Sequence, residues 1–203
     1  MVSKTTSRKN AENARRLWEN KKQITLSHPF GFDFVLRRRK KIVDGVGKPK
    51  GIIAEYTVGE FSHLAYYPKP EHFDIFARAA ENSKHGSFAR VFPGSVGTAA
   101  TMIRKLDDKE HLILEDIQGS FIQGKPKELT RSLATKYNGW RIRVLNEVFE
   151  DAEARHIPVA LMQSGKYEAA MRSAEIRKRI FIEFAEKKGY HIREHKGFTI
   201  AEK

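Results

Sequence analysis

The pattern of hydrophobic and polar positions changes near residue 118. Before it, apolar residues mostly alternate with polar ones, and a period of two is typical of half-buried strands. The strands predicted from this alternation cover residues 32–36, 51–58, 61–67, 98–106 and 111–118. Turn residues at 44–49 and 107–109 join neighbouring strands into two antiparallel hairpins.

Beyond Gln118, apolar residues recur every three to four positions, which predicts helices. Asn138 is placed to cap a helix that runs to about Ala154. A long helix over 167–188 precedes Gly189, which suits a C-terminal cap. A short apolar strand is predicted between these helices, and a final hairpin after them, at residues 157–162, 190–193 and 198–201.

The N-terminal segment predicts a basic amphipathic helix from Thr5 or Ser7 to about Lys22. Its apolar stripe ends at Trp18, the side chain expected to dock on the body of the protein. Residues 1–27 are therefore predicted to form a basic arm, and residues 28–203 a single domain.

This order of elements predicts an α+β fold. Its mixed, largely antiparallel sheet is flanked by helices and includes one parallel crossover. The crossover leads from the strand that begins at His111, through the helix after Asn138, to the strand at Ile157. Helices packed on an open sheet leave a cleft at the strand ends, where ligands usually bind.

The amino-acid composition restricts the class of protein to which this chain can belong. Of the 203 residues, 40% are hydrophobic and 31% are charged, which is enough apolar material for a core. The absence of cysteine excludes disulfides, thiolate nucleophiles and cysteine zinc sites. No apolar run approaches the roughly 20 residues that span a bilayer, so we expect an intracellular, cytoplasmic protein without a membrane partner.

The positive charge is concentrated at the N-terminus. The net charge is +13, and residues 1–50 contribute +10 of it, from 14 basic and 4 acidic residues. Crowded cations of this kind indicate nucleic acid or another polyanion as partner. The predicted contacts are Arg8, Lys9, Arg15, Arg16, Arg37, Arg38, Arg39, Lys40 and Lys41. A solvated tail, or an acidic protein as partner, would explain the same composition.

Glu115 is the candidate catalytic residue. It lies near the end of the strand at 111–118, on the face opposite Leu114 and Asp116, where a carboxylate could take a proton from an amine or hydroxyl. The alternative is an edge carboxylate that faces water or pairs with Lys105.

The segment after this strand has the spacing of a phosphate-binding loop, G-x-x-x-x-G-K, from Gly119 to Lys125. Pro126 replaces the hydroxyl residue that would bind a metal, which argues against an NTPase. Backbone donors and Lys125 could still hold phosphate; an ordinary surface loop is the alternative.

Three further types of site are weighed and receive little support. No pair of the eight histidines shows His-x-x-x-His on a predicted helix. His191 and His195, four residues apart in the predicted terminal hairpin, could share a strand face, but no metal is predicted. No Gly-x-Ser-x-Gly occurs, so a serine hydrolase is not expected. Phe61, Tyr66, Tyr67 and Phe73, with His63 and Lys69, could form a stacking surface for bases, but such a cluster more often forms core.

From about residue 98, the order of hairpin, helix, strand, helix and hairpin resembles the GNAT acyltransferase superfamily. Residues 184–190 are similar to the family's aromatic–basic–Gly–aromatic ending, with Ala185 at the position of its leaving-group tyrosine. The resemblance implies that 112–118 is the splayed central strand and that acyl-coenzyme A is the cofactor. It implies Glu115 as base, and contacts to the donor's phosphates from Gln118, Gly119, Ser120 and Lys125.

The sequence therefore favours a GNAT-like acyl- or aminoacyltransferase that acts on a polyanionic or nucleic-acid-associated substrate. A non-catalytic nucleic-acid-binding protein that uses the same basic residues is the alternative. Separately, Glu115-Asp116-Ile117-Gln118 is similar to a strand end in some phage-encoded proteins.

Overall fold

The computed structural model of the chain describes residues 4–19, 22–27, 33–72, 94–119, 132, 135–162 and 168–203. Within them the protein is an α+β structure with a mixed sheet of nine strands. The helices are α1 (Lys4–Glu19), α2 (Trp140–Arg155) and α3 (Glu168–Lys187). The strands are β1 (Gln23–Ser27), β2 (Asp33–Val43), β3 (Pro49–Val58), β4 (Phe61–Pro68), β5 (Gly97–Leu106), β6 (Lys109–Gly119), β7 (Val159–Met162), β8 (His191–His195) and β9 (Phe198–Glu202).

The strand order is β1-β2-β3-β4-β5-β6-β7-β9-β8. The pairs β1–β2, β2–β3, β7–β9 and β9–β8 are antiparallel, and β6–β7 is parallel. This parallel pair, joined through α2, is the crossover that the sequence predicts. The closing hairpin is also confirmed, and β9 lies between β7 and β8.

The chain divides into two compact units. The first comprises Met1–Val58, Ser62–Thr98 and Gln118–Trp140, and the second comprises Gly59–Phe61, Ala99–Ile117 and Arg141–Lys203.

In the first unit, α1 packs on the sheet because its apolar stripe meets the inward side chains of the strands. Leu17 of α1 and Leu36 of β2 are both fully buried there. Trp18 is partly buried against the same core, in agreement with its predicted docking role. The buried members of this core are Ala14, Leu17, Ile24, Leu26, Phe34, Leu36, Ile52, Ala54, Tyr56, Ala65 and Tyr67.

The hairpin of β2 and β3 extends beyond the sequence prediction for its first strand. The charged run that starts at Arg37 gives no alternation, yet the backbone continues as a strand to Val43. The ladder carries irregularities between Arg38 and Lys40 and between Ile42 and Val43. Such bulges re-aim side chains without ending the strand.

In the second unit, α2 and α3 share an aromatic core. Phe149 of α2 contacts the rings of Phe181, Phe184 and Tyr190, with ring centroids between 4.9 and 5.6 Å apart. The α2 side chains that recur at three-to-four spacing are buried: Val144, Leu145, Val148, Phe149 and Ala152 in this unit, and Trp140 at the end of the first unit. Gly189 has a φ of 80°, the left-handed conformation expected of a C-terminal cap.

Among the described residues, no helix is long and apolar enough to cross a membrane.

Candidate functional site

The parallel ladder between β6 and β7 is short. It joins Leu112 to Val159, Ile113 to Ala160 and Leu114 to Leu161. Leu114 and Leu161 form the last described pair of this ladder, and Glu115 is the next residue of β6. Residues 163–167, which follow β7, lie outside the described part of the chain.

Glu115 and Asp116 point to opposite faces of β6, because side chains alternate along a strand. Glu115 is half-buried. Two residues earlier, on the same face of β6, Ile113 packs in an apolar cluster with Ala160 and Ile200. Glu115 thus lies beside the apolar face of β6, next to the last described pair of the ladder. Partly enclosed carboxylates of this kind suit proton transfer.

Asp116 is held from the other face by α3. Nη1 of Arg177 donates a hydrogen bond of 2.5 Å to its Oδ1, and the two side chains are only 16% and 20% exposed. The sequence analysis did not identify Arg177. Its only signal was a basic residue four positions before the buried Phe181, and α3 contains several other basic residues.

The predicted phosphate contacts are only partly described. Gln118 is exposed and Gly119 half-buried at the end of β6, within the first unit. Ser120 and Lys125 lie outside the described residues, as does the rest of the predicted phosphate-binding loop. In the second unit, the first turn of α2 carries Arg141 and Arg143, which the sequence analysis also missed; burial lowers the pKa of Arg141.

The basic run of β2 is divided between the two faces of the sheet. Arg37 is exposed opposite Glu55, and Nη1 of Arg39 lies 3.4 Å from Oε1 of the same glutamate. Arg38 turns to the other face and donates a 2.9 Å hydrogen bond to the carbonyl of Leu17. That contact satisfies a backbone acceptor in the last turn of α1, so Arg38 has a structural role.

Lys40 and Lys41 are exposed on the same strand, and Lys9 and Arg16 are exposed on α1. Arg15 is half-buried, and the side chain of Arg8 lies outside the described part of the chain. The predicted cations therefore do not form one continuous patch, because α1 packs on the face that Arg37 turns away from.

A cavity of about 410 Å³ lies around Arg37 in the first unit. Its lining includes Thr25 of β1, Phe34 and Val35 of β2, and Thr57 of β3, which are adjacent strands. Asp33, Arg37 and Glu55 are the charged groups of its lining. The mixed charges favour a polar ligand without selecting one class.

Of the aromatic residues considered for base stacking, Tyr66 and Tyr67 are core, Phe61 is exposed, and Phe73 lies outside the described residues. Tyr66 and Tyr67 are 1% and 0% exposed. Tyr137 is also buried, and its hydroxyl lies 2.6 Å from Nδ1 of His72. Burial lowers the pKa of His72, and the nearby ammonium of Lys136 lowers it further. Within the described ranges, no group of three His, Cys, Asp or Glu residues is arranged to hold a metal ion.

Comparison of the chain with protein-family models gives no match, and comparison with curated proteins gives none either.

Proposed function

We propose that the protein is an acyl- or aminoacyltransferase of GNAT-like architecture, with Glu115 as the general base. The observation that carries the proposal is the parallel β6–β7 pair joined through α2, with the half-buried Glu115 directly after its last described pair, Leu114 and Leu161. The resemblance implies that the two strands part beyond this pair, which would leave a slot lined by backbone donors and acceptors.

Such a slot suits an extended, amide-containing donor. With the strands parted after Leu114, as the resemblance implies, the backbone groups of β6 could hydrogen-bond an arm that adds to the strand edge. The pantetheine arm of coenzyme A has this character, since its two amides alternate with short alkyl segments. This supports acyl-coenzyme A as the donor.

The reaction requires one proton to be removed. An amine or hydroxyl of the acceptor attacks the acyl carbonyl, a new bond to carbon forms, and the carbon–sulfur bond breaks. Glu115 takes the acceptor's proton, directly or through one water.

The leaving group needs little assistance from the protein. Ala185, at the position of the family's tyrosine, is fully buried and has no proton to give. A thiol has a pKa of about 8.5, so a thiolate leaves at neutral pH without a strong acid.

Cations support the binding of the donor's phosphates. Gln118, Gly119, Ser120 and Lys125 are the contacts expected from the sequence. The excess of positive charge in residues 1–50 supports a polyanionic or nucleic-acid-associated acceptor.

Isothermal titration with acetyl-coenzyme A tests the donor assignment. We expect saturable heat at micromolar concentrations for the wild type. We expect unchanged donor binding for Glu115→Gln, because the base acts on the acceptor. With a panel of nucleic acids and other polyanions that carry an amine or hydroxyl as acceptors, Glu115→Gln should lower turnover by about 10²–10⁴-fold.

Glu110→Gln is the matched control, because Glu110 is exposed on the same strand before the ladder begins. It should retain wild-type turnover. Absence of heat up to high micromolar acetyl-coenzyme A, with a folded sample, would remove the donor assignment. Equal turnover of the two variants would remove the role of Glu115.

A non-catalytic nucleic-acid-binding protein is the second candidate, and the exposure of Arg37, Lys40 and Lys41 favours it. It predicts affinity that falls steeply with salt. This affinity should weaken when Arg37, Arg38 and Arg39 are neutralised and stay unchanged in Glu115→Gln.

A further inference from the structure

The hairpin tip, which we define as residues 41–50 between β2 and β3, combines cations with exposed apolar side chains. Val43 and Val46 are 53% and 78% exposed, although valine is usually buried. Lys41, Lys48 and Lys50 are exposed around them. The hairpin tip therefore presents two exposed apolar side chains, at the end of β2 and in the turn, together with these lysines.

The hairpin tip is pre-organised by Asp44. Its Oδ1 accepts hydrogen bonds from the backbone N–H of Val46 at 3.1 Å and of Lys48 at 2.8 Å. Backbone bonds from Asp44 to Lys48 and from Gly47 to Asp44 close the same turn, at 2.9 and 3.0 Å. Gly47 takes the positive φ of 77° that this turn requires. Val46 is therefore held outward by a rigid loop, and little conformational entropy is lost when it binds a partner.

The charge of the hairpin tip selects an anionic partner. Asp44 is its only acidic residue, and that carboxylate is already engaged with the loop backbone and with the ammonium of Lys50 at 3.4 Å. Lys41 and Lys48 lie before and after the two valines in the chain. They are placed to contact phosphates on either side of an apolar centre.

We propose that the hairpin tip enters the major groove of B-form DNA. Paired strands lie about 4.8 Å apart, so a two-stranded ribbon with its side chains fits a groove about 12 Å wide. Lys41 and Lys48 contact phosphates of the flanking strands, and Val46 contacts base edges such as thymine methyl groups. The deep, narrow major groove of A-form RNA excludes the same ribbon.

Duplex DNA fits better than an anionic membrane. Interfacial membrane anchors depend on large side chains such as Trp, Phe and Leu. The hairpin tip has two valines instead, on a loop that is held rigid. This inference deepens the second candidate function and does not depend on acyl transfer.

Fluorescence anisotropy with a labelled 20-base-pair DNA duplex, measured over a range of salt concentrations, tests the proposal. Each lost phosphate contact lowers the slope of log affinity against log salt by about 0.9. Lys41→Gln/Lys48→Gln should therefore lower the slope by about 1.8 and weaken binding at least tenfold at low salt. Val46→Ser, which keeps the charge, should weaken DNA binding severalfold and reduce the preference for duplex DNA over duplex RNA.

Lys109→Gln/Lys187→Gln removes the same charge from exposed positions outside the hairpin tip and should leave the slope unchanged. Equal loss in both double variants would overturn the proposal, because binding would then reflect net charge alone. Equal affinity of the wild type for duplex DNA and duplex RNA would overturn it too. So would binding to phosphatidylserine vesicles without binding to DNA. Acetyl-coenzyme A titration of the same samples reports on acyl transfer separately.

Discussion

Arg177 of α3 and Asp116 of β6 form a hydrogen-bonded ion pair of 2.5 Å, although 61 residues separate them in the chain. Asp116 is the second residue after the last described β6–β7 pair, and Arg177 lies one helical turn before the buried Phe181. The ion pair thus fixes this part of β6 to a helix whose own position is set by aromatic packing.

Breaking this ion pair should destabilise the protein. Both side chains are mostly buried, so Asp116→Asn leaves a guanidinium without its counter-charge in a partly desolvated position. We expect a loss of about 1–3 kcal/mol in the free energy of unfolding, measured by urea denaturation. Arg177→Gln should have a similar effect, and the double variant should lose less than the sum.

The exposed pair of Arg179 and Glu183 on the same helix is the control. Its side chains are 72% and 69% exposed, so Arg179→Gln should change stability by less than about 0.5 kcal/mol. Equal effects of Arg177→Gln and Arg179→Gln would show that the contact at Asp116 contributes nothing specific.

The parallel crossover was predictable because two local signals agreed. The apolar runs around Ile113 and Ala160 indicated buried strands, and the helix between them left room only for a crossover. Glu115 could also be assigned to a strand face from the period of two. The point at which the ladder ends could not be predicted, because register depends on contacts between distant segments.

Other features gave no usable sequence signal. β1 has two inward residues, Ile24 and Leu26, and a segment of five residues is too short to show a period. The charged run after Leu36 shows no alternation, so the rest of β2 could not be predicted. The pairing of this part of β2 depends on β3 and on bulges in the ladder. Arg177 could not be singled out among the basic residues of α3, because only its contact with Asp116 distinguishes it from them.

Gly97 should not tolerate a side chain. A Cβ at this position would lie 2.5 Å from Cζ3 of Trp140, whose ring is buried and unable to move away freely. Overpacking of this kind usually costs about 1–3 kcal/mol. Gly97→Ala should therefore lower the midpoint of urea denaturation, followed by circular dichroism.

Gly45→Ala provides the comparison, because no atom lies within 4 Å of a Cβ built there and its φ is not positive. It should leave the midpoint within the error of the wild type. Equal midpoints for Gly97→Ala and Gly45→Ala would mean that Trp140 does not cover Gly97 closely.

Protonation of Glu153 should contribute to the loss of stability at low pH. Hydrogen bonds from Lys203 at 2.6 Å and from Tyr190 at 2.5 Å hold the pKa of this carboxyl below its usual range. A carboxyl with a lowered pKa in the folded state stabilises the protein above its unfolded pKa, about 4.3. That stabilisation is lost as pH falls from there through the folded pKa.

Glu153→Gln should therefore lower the melting temperature at pH 7, and its melting temperature should fall less than that of the wild type between pH 5 and pH 2. Glu186→Gln, a change at an exposed position of α3, should follow the wild-type curve. Thermal unfolding at a series of pH values gives the comparison. Parallel curves for the wild type and Glu153→Gln would contradict the role of these contacts.

The Asp44 carboxylate should control the order of the β2–β3 turn through its hydrogen bonds rather than through its charge. Its Oδ1 accepts from two backbone N–H groups, and the bond from Lys48 is the largest cause of its lowered pKa. Asn keeps an acceptor oxygen at this position and Ala does not. Amide exchange at Val46 and Lys48 should therefore speed up several-fold in Asp44→Ala and little in Asp44→Asn, as measured by NMR at constant pH. If both variants exchanged equally fast, the negative charge would be the stabilising element and the proposed ordering by hydrogen bonds would be wrong.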